Sequence, residues 1–229
     1  MHETTSAGRG PRRPPGFRRP VVFLAALGAA TLLAAGGNVA VASSSPPPTR
    51  GYIYWTNGHW IGRARLDGTD VRQKFITGAA YGTGIAVSSG YLYWANIGEI
   101  PPKNGGGTIG RARLNGTDVN QKFITTAQPN GPDGVVAGSG HIYWANDFNI
   151  GRANLNGTGV DQDFIAVPDG PSGVSGLAVN SHYIFWTDET AGTIGRARLN
   201  GTHVNQRLII TKPSSRQIGL FGAVVNPGR

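Results

Sequence analysis

One pattern occurs four times along this chain, and it constrains the fold more than any other feature. Each copy opens with an aromatic run containing tryptophan, read as YIYWTN, YLYWAN, HIYWAN and YIFWTD from Tyr52, Tyr91, His141 and Tyr183. The tryptophans are separated by 39, 50 and 42 residues, at Trp55, Trp94, Trp144 and Trp186. Repeats of this length are typical of solenoids and propellers, in which each unit buries the apolar face of its neighbour.

The first 42 residues have the pattern of a secretion signal. Five arginines precede an apolar stretch from Val21 to Ala35, and a small-residue cleavage site ends at Ala42. We expect cleavage after Ala42 and a secreted product, exported by the Sec route or, given Arg18 and Arg19, by the twin-arginine route. An uncleaved membrane anchor is disfavoured because the apolar stretch is shorter than the roughly 20 residues that cross a bilayer. We therefore expect no stable membrane anchor after cleavage.

Removal of this leader changes the charge of the chain. The formal net charge of +9 falls to +5, because five of the 21 basic residues and one of the 12 acidic residues lie before residue 43. The remaining basic residues recur at fixed places in the repeat, so we expect no nucleic-acid partner. The sequence has no cysteine, which excludes disulfides, thiolate metal sites and cysteine nucleophiles. Residues 43–50 read as a Ser/Pro-rich linker, and residues 51–229 read as one folded domain.

The repeated segments predict strands throughout the domain. The aromatic runs alternate two apolar faces, and IGRARLDGT, IGRARLNGT, IGRANLNGT and IGRARLNGT follow them from Ile61, Ile109, Ile150 and Ile194. The small face of these second runs is predicted to lie against the aromatic face of a neighbouring sheet. Asp67-Gly68 and the three Asn-Gly pairs predict type I′ hairpins, and a short third strand comes next. The Asn-Gly-Thr triplets also match glycosylation acceptors, but their recurrence at the hairpin favours turn geometry.

A fourth strand, rich in glycine, alanine and valine, is predicted at the crowded inner position of each sheet. It begins at Gly84, Gly134, Gly176 and Gly222. The first unit lacks an inner strand before it, whereas the segment from Gly222 to Asn226 has no unit of its own. We predict that this last strand joins the first sheet and closes a ring, which removes exposed edges. The fold class is therefore all-β, a β-propeller of about four four-stranded antiparallel blades. A monomer is expected, with a ring formed by two chains as the alternative.

The quoted segments resemble the YWTD repeats, or class B repeats, of the low-density lipoprotein receptor family, from about Gly51 to the C-terminus. This chain is identified as an exported member of bacterial type. The resemblance implies β-propeller blades, but family propellers have six blades, and this chain has material for four. The Asp of the motif is present only as Asp188, and asparagine replaces it at 57, 96 and 146. In the family that residue ties blades together, partly through arginines. The resemblance therefore implies amide-to-arginine bonds and a structural role for Arg63, Arg111, Arg152 and Arg196.

Comparison of the four copies separates scaffold from candidate site. The hairpins, and the connections from inner to aromatic strand, are short and similar. The connections at the other end differ in every copy, and strand parity places them all on one end, called here the variable end. Function is usually carried by loops on a rigid scaffold. The candidate ligand-binding residues are those that the variable end presents: His59, Trp60, Tyr81, Glu99, Asp133, Asp147, Phe148, Asp169, Asp188 and Glu189.

Two functional classes follow from these residues. The acidic residues fit either turn chemistry or a mildly acidic rim for a cationic ligand, a basic peptide or calcium. The favoured class is a non-enzymatic module that binds a protein, peptide or small molecule and requires no cofactor. The alternative is a metal-dependent propeller enzyme resembling gluconolactonases or streptogramin lyases. It needs carboxylates near the axis, where the inner strands offer mainly Ser88, Asn180 and Asn226. No catalytic residue is assigned, since His59 is the single histidine at the variable end and no nucleophile or nucleotide motif occurs.

Overall fold

The computed structural model describes residues 51–98, 107–126, 131–167, 173–189 and 191–211. Within these ranges the chain is all-β, and no helix long and apolar enough to cross a membrane is found. The strands of the described residues are β1 (Tyr52–Arg65), β2 (Arg72–Ser88), β3 (Tyr91–Asn96), β4 (Thr108–Arg113), β5 (Asn120–Thr125), β6 (Val135–Gly138), β7 (His141–Asn146), β8 (Asn149–Asn154), β9 (Asp161–Ala166), β10 (Val174–Val179), β11 (Tyr183–Asp188), β12 (Thr193–Arg198) and β13 (Asn205–Ile210).

The strands form three antiparallel sheets that contain four blades. Strands β6 to β9 form blade 3, and β10 to β13 form blade 4. The third sheet has five strands in the order β1-β2-β3-β4-β5, because β2 runs without a break from one blade into the next. Blade 1 is β1 with residues 72–77 of β2, and blade 2 is residues 82–88 of β2 with β3, β4 and β5. Separate short strands were expected here, but β1 also continues through the loop at residues 57–60.

Each repeated tryptophan lies over a glycine of its own blade. Trp94 is directly opposite Gly110 in the ladder, and Trp144 is opposite Gly151. A methyl group added to Gly110 would come within 2.2 Å of the Trp94 ring, and Gly62 has the same relation to Trp55. The prediction that the small face meets a neighbouring sheet is therefore wrong for the glycines. They are small because an indole of the same sheet crosses them.

The core consists of three layers between consecutive blades. In the layer between blades 2 and 3, Tyr93 and Ile109 pack with Ile142 and Trp144. Equivalent residues form the layers between blades 1 and 2 and between blades 3 and 4. Trp94, Trp144 and Trp186 are each 0% exposed, so these three tryptophans are sandwiched as the repeat predicts, whereas Trp55 is half-buried. The all-β, four-bladed propeller predicted from the sequence is confirmed.

Glycines at the inner strands allow the blades to converge. A Cβ on Gly84 would meet the backbone nitrogen of Val135 in the next blade at 2.6 Å, and one on Gly134 would meet the Ser175 carbonyl at 2.8 Å. Backbones that approach this closely exclude any side chain. The strand from Gly222 to Asn226, which is predicted to close the ring, lies outside the described residues. Its role stays a prediction.

The hairpins differ from the type I′ turns that were predicted. In the Arg113–Gly116 turn the Gly116 amide donates to the Arg113 carbonyl at 2.9 Å, and φ is +87° at Gly116 but not positive at Asn115. This is the geometry of a type I turn followed by a glycine bulge. The Asn115 side chain instead accepts from the Thr117 amide at 3.0 Å and from the Thr117 hydroxyl at 2.8 Å. The asparagine is thus selected for its side-chain acceptor.

All four hairpins repeat this pair of bonds. The threonine two residues later donates from its amide and its hydroxyl to the side-chain oxygen of the acceptor, at distances of 2.7 to 3.1 Å. The acceptors are Asp67, Asn115, Asn156 and Asn200. The recurrence of Asn-Gly-Thr is therefore explained by turn geometry, as predicted.

Candidate functional site: the variable end of the blades

The strand register places the variable connections on one end of the sheets. In blade 2 the same row contains Gly82, Asn96, Thr108 and Thr125, which are the strand residues beside the variable loops. In blade 4 the row is Val174, Asp188, Thr193 and Ile210. The hairpins lie at the other end of the same strands. Strand parity therefore gives the correct assignment of the variable end.

Asn96 anchors the loop that leads into blade 2. Its amide nitrogen donates to the Thr108 hydroxyl at 3.2 Å and to the Gln121 carbonyl at 3.1 Å, and its oxygen accepts from the Ala80 amide at 3.1 Å. The expected amide-to-arginine bond is therefore wrong at Asn96. The register explains the difference, because Asn96 is opposite Thr108, whereas Arg111 is opposite Tyr93.

The repeated arginines stack on aromatic rings. The Arg111 guanidinium lies 4.7 Å from the ring centre of Tyr91 and 3.9 Å from that of Phe123. Arg63 lies 4.2 Å from both Tyr52 and Phe75. In blades 3 and 4 a single ring is stacked, with Arg152 on Phe164 and Arg196 on Tyr183. These cation–π contacts support the structural role expected for the arginines.

The residues equivalent to Asn96 have different surroundings. Asn57 is exposed, and the buried Asp188 accepts from the Ala191 amide at 2.8 Å. Asn146 is 0% exposed, yet neither polar atom of its side chain has a hydrogen-bond partner. An unpartnered buried amide costs free energy. The burial and hydrogen bonding of this repeated position therefore differ from copy to copy, although the sequence pattern predicts the same role in each.

Three aromatic residues of the variable end come together beside blade 1. The rings of His59 and Tyr81 meet edge to face with their centres 4.7 Å apart, and those of His59 and Trp60 are 6.4 Å apart. Lys74 places its ammonium 4.8 Å from the Trp60 ring centre. His59 and Tyr81 are exposed. We call His59, Trp60 and Tyr81 the aromatic cluster.

Tyr81 is held in an unfavourable backbone conformation. Its φ is +53°, a left-handed value that is rare for a bulky side chain and costs of order 1–3 kcal/mol. The surrounding loop is pinned on both sides of this residue. The Ala80 carbonyl accepts from the Gly98 amide at 3.2 Å, and the Thr83 hydroxyl donates to the Pro132 carbonyl at 3.1 Å. These bonds, with the one from the Ala80 amide to Asn96, hold the backbone on both sides of Tyr81 and compensate for the strain.

The acidic candidates lie beside blades 3 and 4. Asp133 and Asp147 flank strands of blade 3 and are half-buried, and their backbones bond to Ala145 and Val174, respectively. Phe148 is 43% exposed and follows Asp147 directly. Glu189 is half-buried beside Asp188. Glu99 and Asp169 lie outside the described residues.

The structure therefore joins three of the predicted site residues into one contact group, and it places the acidic residues around other blades. Among the described residues, no group of three or more His, Asp or Glu side chains is arranged to hold a metal ion. Two features of the aromatic cluster were not predicted from the sequence. Lys74 belongs to a repeated strand, and nothing in the sequence around it indicates its contact with Trp60. The strain at Tyr81 has no signal in the sequence, and the nearest residue with positive φ is Gly78.

Comparison with known proteins supports the fold. No protein-family model matches this sequence, and no curated protein matches it. Among solved structures, the chain is similar to one in a nidogen–laminin complex, with TM-score 0.60, 19% identity, and coverage of 76% of this chain and 64% of the other. It is also similar to a gluconolactonase from Xanthomonas campestris, with TM-score 0.57, 16% identity and coverage of 77% and 63%. This chain therefore spans less than two thirds of either structure. Both likenesses identify the β-propeller fold.

Proposed function

We propose that this chain is an exported, YWTD-type β-propeller module that binds a peptide segment of another protein at its variable end. The observation that carries the proposal is the conformation of Tyr81. An exposed aromatic residue is held at positive φ by hydrogen bonds on both sides and packs against His59. Strain that the surroundings maintain is characteristic of binding sites, because it keeps a side chain in the bound geometry.

The composition of the aromatic cluster supports a peptide ligand. Aromatic residues provide large contact area at small cost in side-chain entropy and are enriched in protein interfaces. Asp133 and Asp147 at the same end favour a ligand with positive charge. The likeness to a chain from a nidogen–laminin complex shows that this fold occurs in a protein that assembles with another.

Selection from a phage-displayed random peptide library on the protein from residue 43 onward tests the proposal. Enriched peptides are expected to contain lysine or arginine, and Tyr81→Ala or His59→Ala should weaken their binding at least about tenfold, which corresponds to 1.4 kcal/mol. Val119→Ala is the matched control, because Val119 is similarly exposed at the hairpin end. Peptides that respond to Val119 and ignore Tyr81 would overturn the assignment of the binding face.

A metal-dependent enzyme is the second candidate, and Asn146 is the observation that favours it. Its buried amide oxygen has no hydrogen-bond partner, and amide oxygens are ligands for hard cations. The fold is also that of a gluconolactonase. Thermal melting with calcium, manganese or zinc tests this candidate, together with assays of lactone hydrolysis. Strong stabilisation by one ion, lost in Asn146→Leu, would favour the enzyme over the binding module.

Export is part of the proposal and has its own test. Mass spectrometry of the protein recovered outside the cytoplasm should show a mature chain that begins at Ser43. A product that retains residues 1–42 would contradict cleavage after Ala42.

A further inference from the structure

The three interfaces between consecutive blades share a set of contacts that can be followed from copy to copy. At two interfaces a tyrosine hydroxyl of one blade donates to a leucine carbonyl of the next, from Tyr54 to Leu114 at 3.0 Å and from Tyr93 to Leu155 at 3.1 Å. At the third interface the Tyr143 hydroxyl has no hydrogen-bond partner among the described residues, and the Leu199 carbonyl instead accepts from the Arg152 guanidinium at 3.3 Å. Burial raises the pKa of Tyr93, so its hydroxyl stays protonated and remains a donor at neutral pH.

Two further contacts recur at all three interfaces. In the first, a glutamine side-chain amide of the later blade donates to a backbone carbonyl near the end of the outermost strand of the earlier blade, at 2.8 to 2.9 Å. The pairs are Gln121 with Thr77, Gln162 with Thr125 and Gln206 with Ala166. A phenylalanine of the earlier blade also covers the hairpin glycine of the later one. A Cβ on that glycine would lie 2.8 to 3.0 Å from the ring, in the pairs Gly116 with Phe75, Gly157 with Phe123 and Gly201 with Phe164.

Blade 1 carries one half of this set without its complement. Gln73, which is equivalent to Gln121, is exposed, and a Cβ on Gly68 would have no atom within 4 Å. Leu66 is 43% exposed, whereas its equivalents are half-buried in the apolar layers. Trp55 is half-buried, whereas the other repeated tryptophans are fully buried.

Blade 4 carries the other half. Ile209 is 49% exposed, whereas Ile124 and Ile165, which are equivalent to it, are 3% and 2% exposed. Phe185 and Ile194 are half-buried, although their equivalents in blades 2 and 3 are fully buried. Blade 1 and blade 4 therefore present opposite, complementary sides of one interface that is already built three times in the chain.

We propose that two copies of this chain associate head to tail, with the blade 1 face of each copy covering the blade 4 face of the other. The two contacts are identical and heterologous, and with two copies they close into a ring of eight blades. A second copy covers both apolar faces without changing the packing inside either chain. In the single chain both faces stay exposed, at Leu66 in blade 1 and at Ile209 in blade 4.

Sedimentation and light scattering of the chain from residue 43 onward test this proposal. Wild-type protein should have the mass of two chains. Leu66→Glu and Ile209→Glu each place a charge in both contacts and should raise the dissociation constant at least about tenfold. Since both side chains are substantially exposed in one chain, each variant should fold, which circular dichroism verifies. Val160→Glu is the control, because Val160 is 44% exposed at a hairpin away from both faces.

Mixing the two variants gives the decisive result. In a mixed pair both substitutions lie in one of the two contacts. The other contact is unsubstituted, because it joins blade 4 of the Leu66→Glu chain to blade 1 of the Ile209→Glu chain. The mixture should therefore recover the mass of two chains, although each variant alone has the mass of one. A wild-type mass of one chain at every concentration would overturn the proposal, and so would no recovery on mixing. Species larger than two chains would show an open array and would overturn the closed pair.

Discussion

The hairpin end and the variable end belong to the same strands, yet they are built in different ways. At the hairpin end four turns use the same acceptor and the same threonine, with distances that agree within a few tenths of an ångström. At the variable end the equivalent residues differ: the Asn96 amide donates to the Gln121 carbonyl, Asp188 accepts from the Ala191 amide, and the Asn146 side chain has no hydrogen-bond partner. A contact that recurs in every blade serves the fold. Among the described residues of the variable end, Tyr81 is the one non-glycine residue with positive φ, and this strain points to a function of its loop.

Replacement of a repeated tryptophan is expected to have the largest effect. Trp144→Ala removes a fully buried side chain between blades 2 and 3 and leaves a cavity, which should cost about 3–5 kcal/mol of unfolding free energy. Trp60 is half-buried and outside the repeat, so Trp60→Ala should cost about 1 kcal/mol or less. Chemical denaturation of both variants checks the difference. Equal losses would remove the distinction between repeated and variable positions.

A pair of glycine substitutions separates backbone strain from packing at the hairpin end. Gly157 and Gly140 have φ of +87° and +83°, but only Gly157 faces a neighbour, the Phe123 ring at 2.8 Å from an added Cβ. Gly140→Ala should cost about 1–2 kcal/mol from the left-handed backbone alone. Gly157→Ala should lower the unfolding free energy by about 1 kcal/mol or more beyond that, because its methyl group would overpack against the Phe123 ring. Equal melting temperatures for the two variants would show that the contact between Phe123 and Gly157 is not tight.

These residues also show how far the sequence predicts the structure. The repeat determines the blades, the buried tryptophans and the end on which the variable loops lie, because alternation and glycine spacing are local signals. The hairpin type was wrong because Asn-Gly suits two turn geometries, and the choice depends on the Asn115 side chain accepting from Thr117. The partners of Asn96 were wrong because register across the sheet, which the motif does not encode, places Arg111 beside Tyr93.

The candidate site was harder to predict than the fold. His59, Trp60 and Tyr81 were selected for lying on variable loops, but their contact arises because β1 and β2 continue through these loops and pair Gly58 with Gly82, which brings residues 59 and 81 together. The backbone around Tyr81 is held at positive φ by bonds that Ala80 makes to Asn96 and Gly98 and that Thr83 makes to Pro132. None of these three partners is adjacent to Tyr81 in the sequence.

Tyr81→Gly should separate stability from binding. Glycine adopts the left-handed conformation without strain, so the unfolding free energy should stay unchanged or rise by up to about 1 kcal/mol, partly offset by the lost ring contact with His59. Selected peptides should lose binding at least about tenfold. Denaturation and titration of the same preparation measure both effects. A clear loss of stability would mean that Tyr81 serves packing, and unchanged peptide binding would exclude it from the site.

The smallest effect concerns the hairpin in which the acceptor of the threonine bonds is a carboxylate, Asp67. Hydrogen bonds from the Thr69 hydroxyl, and then from its amide, hold the pKa of the exposed Asp67 carboxyl below its ordinary value. A lowered pKa means that the turn is stabilised above the ordinary carboxyl pKa of about 4 and that this contribution is lost as the pH falls through the folded value. The three asparagine turns should show no such dependence. Carboxyl carbon NMR should therefore show a low pKa for Asp67, and Thr69→Val should return it towards the ordinary value, because it removes the largest cause. Unchanged titration in Thr69→Val would show that the hydroxyl does not bind the carboxylate in solution, and Asp67 would then lack the bond that its three counterparts make.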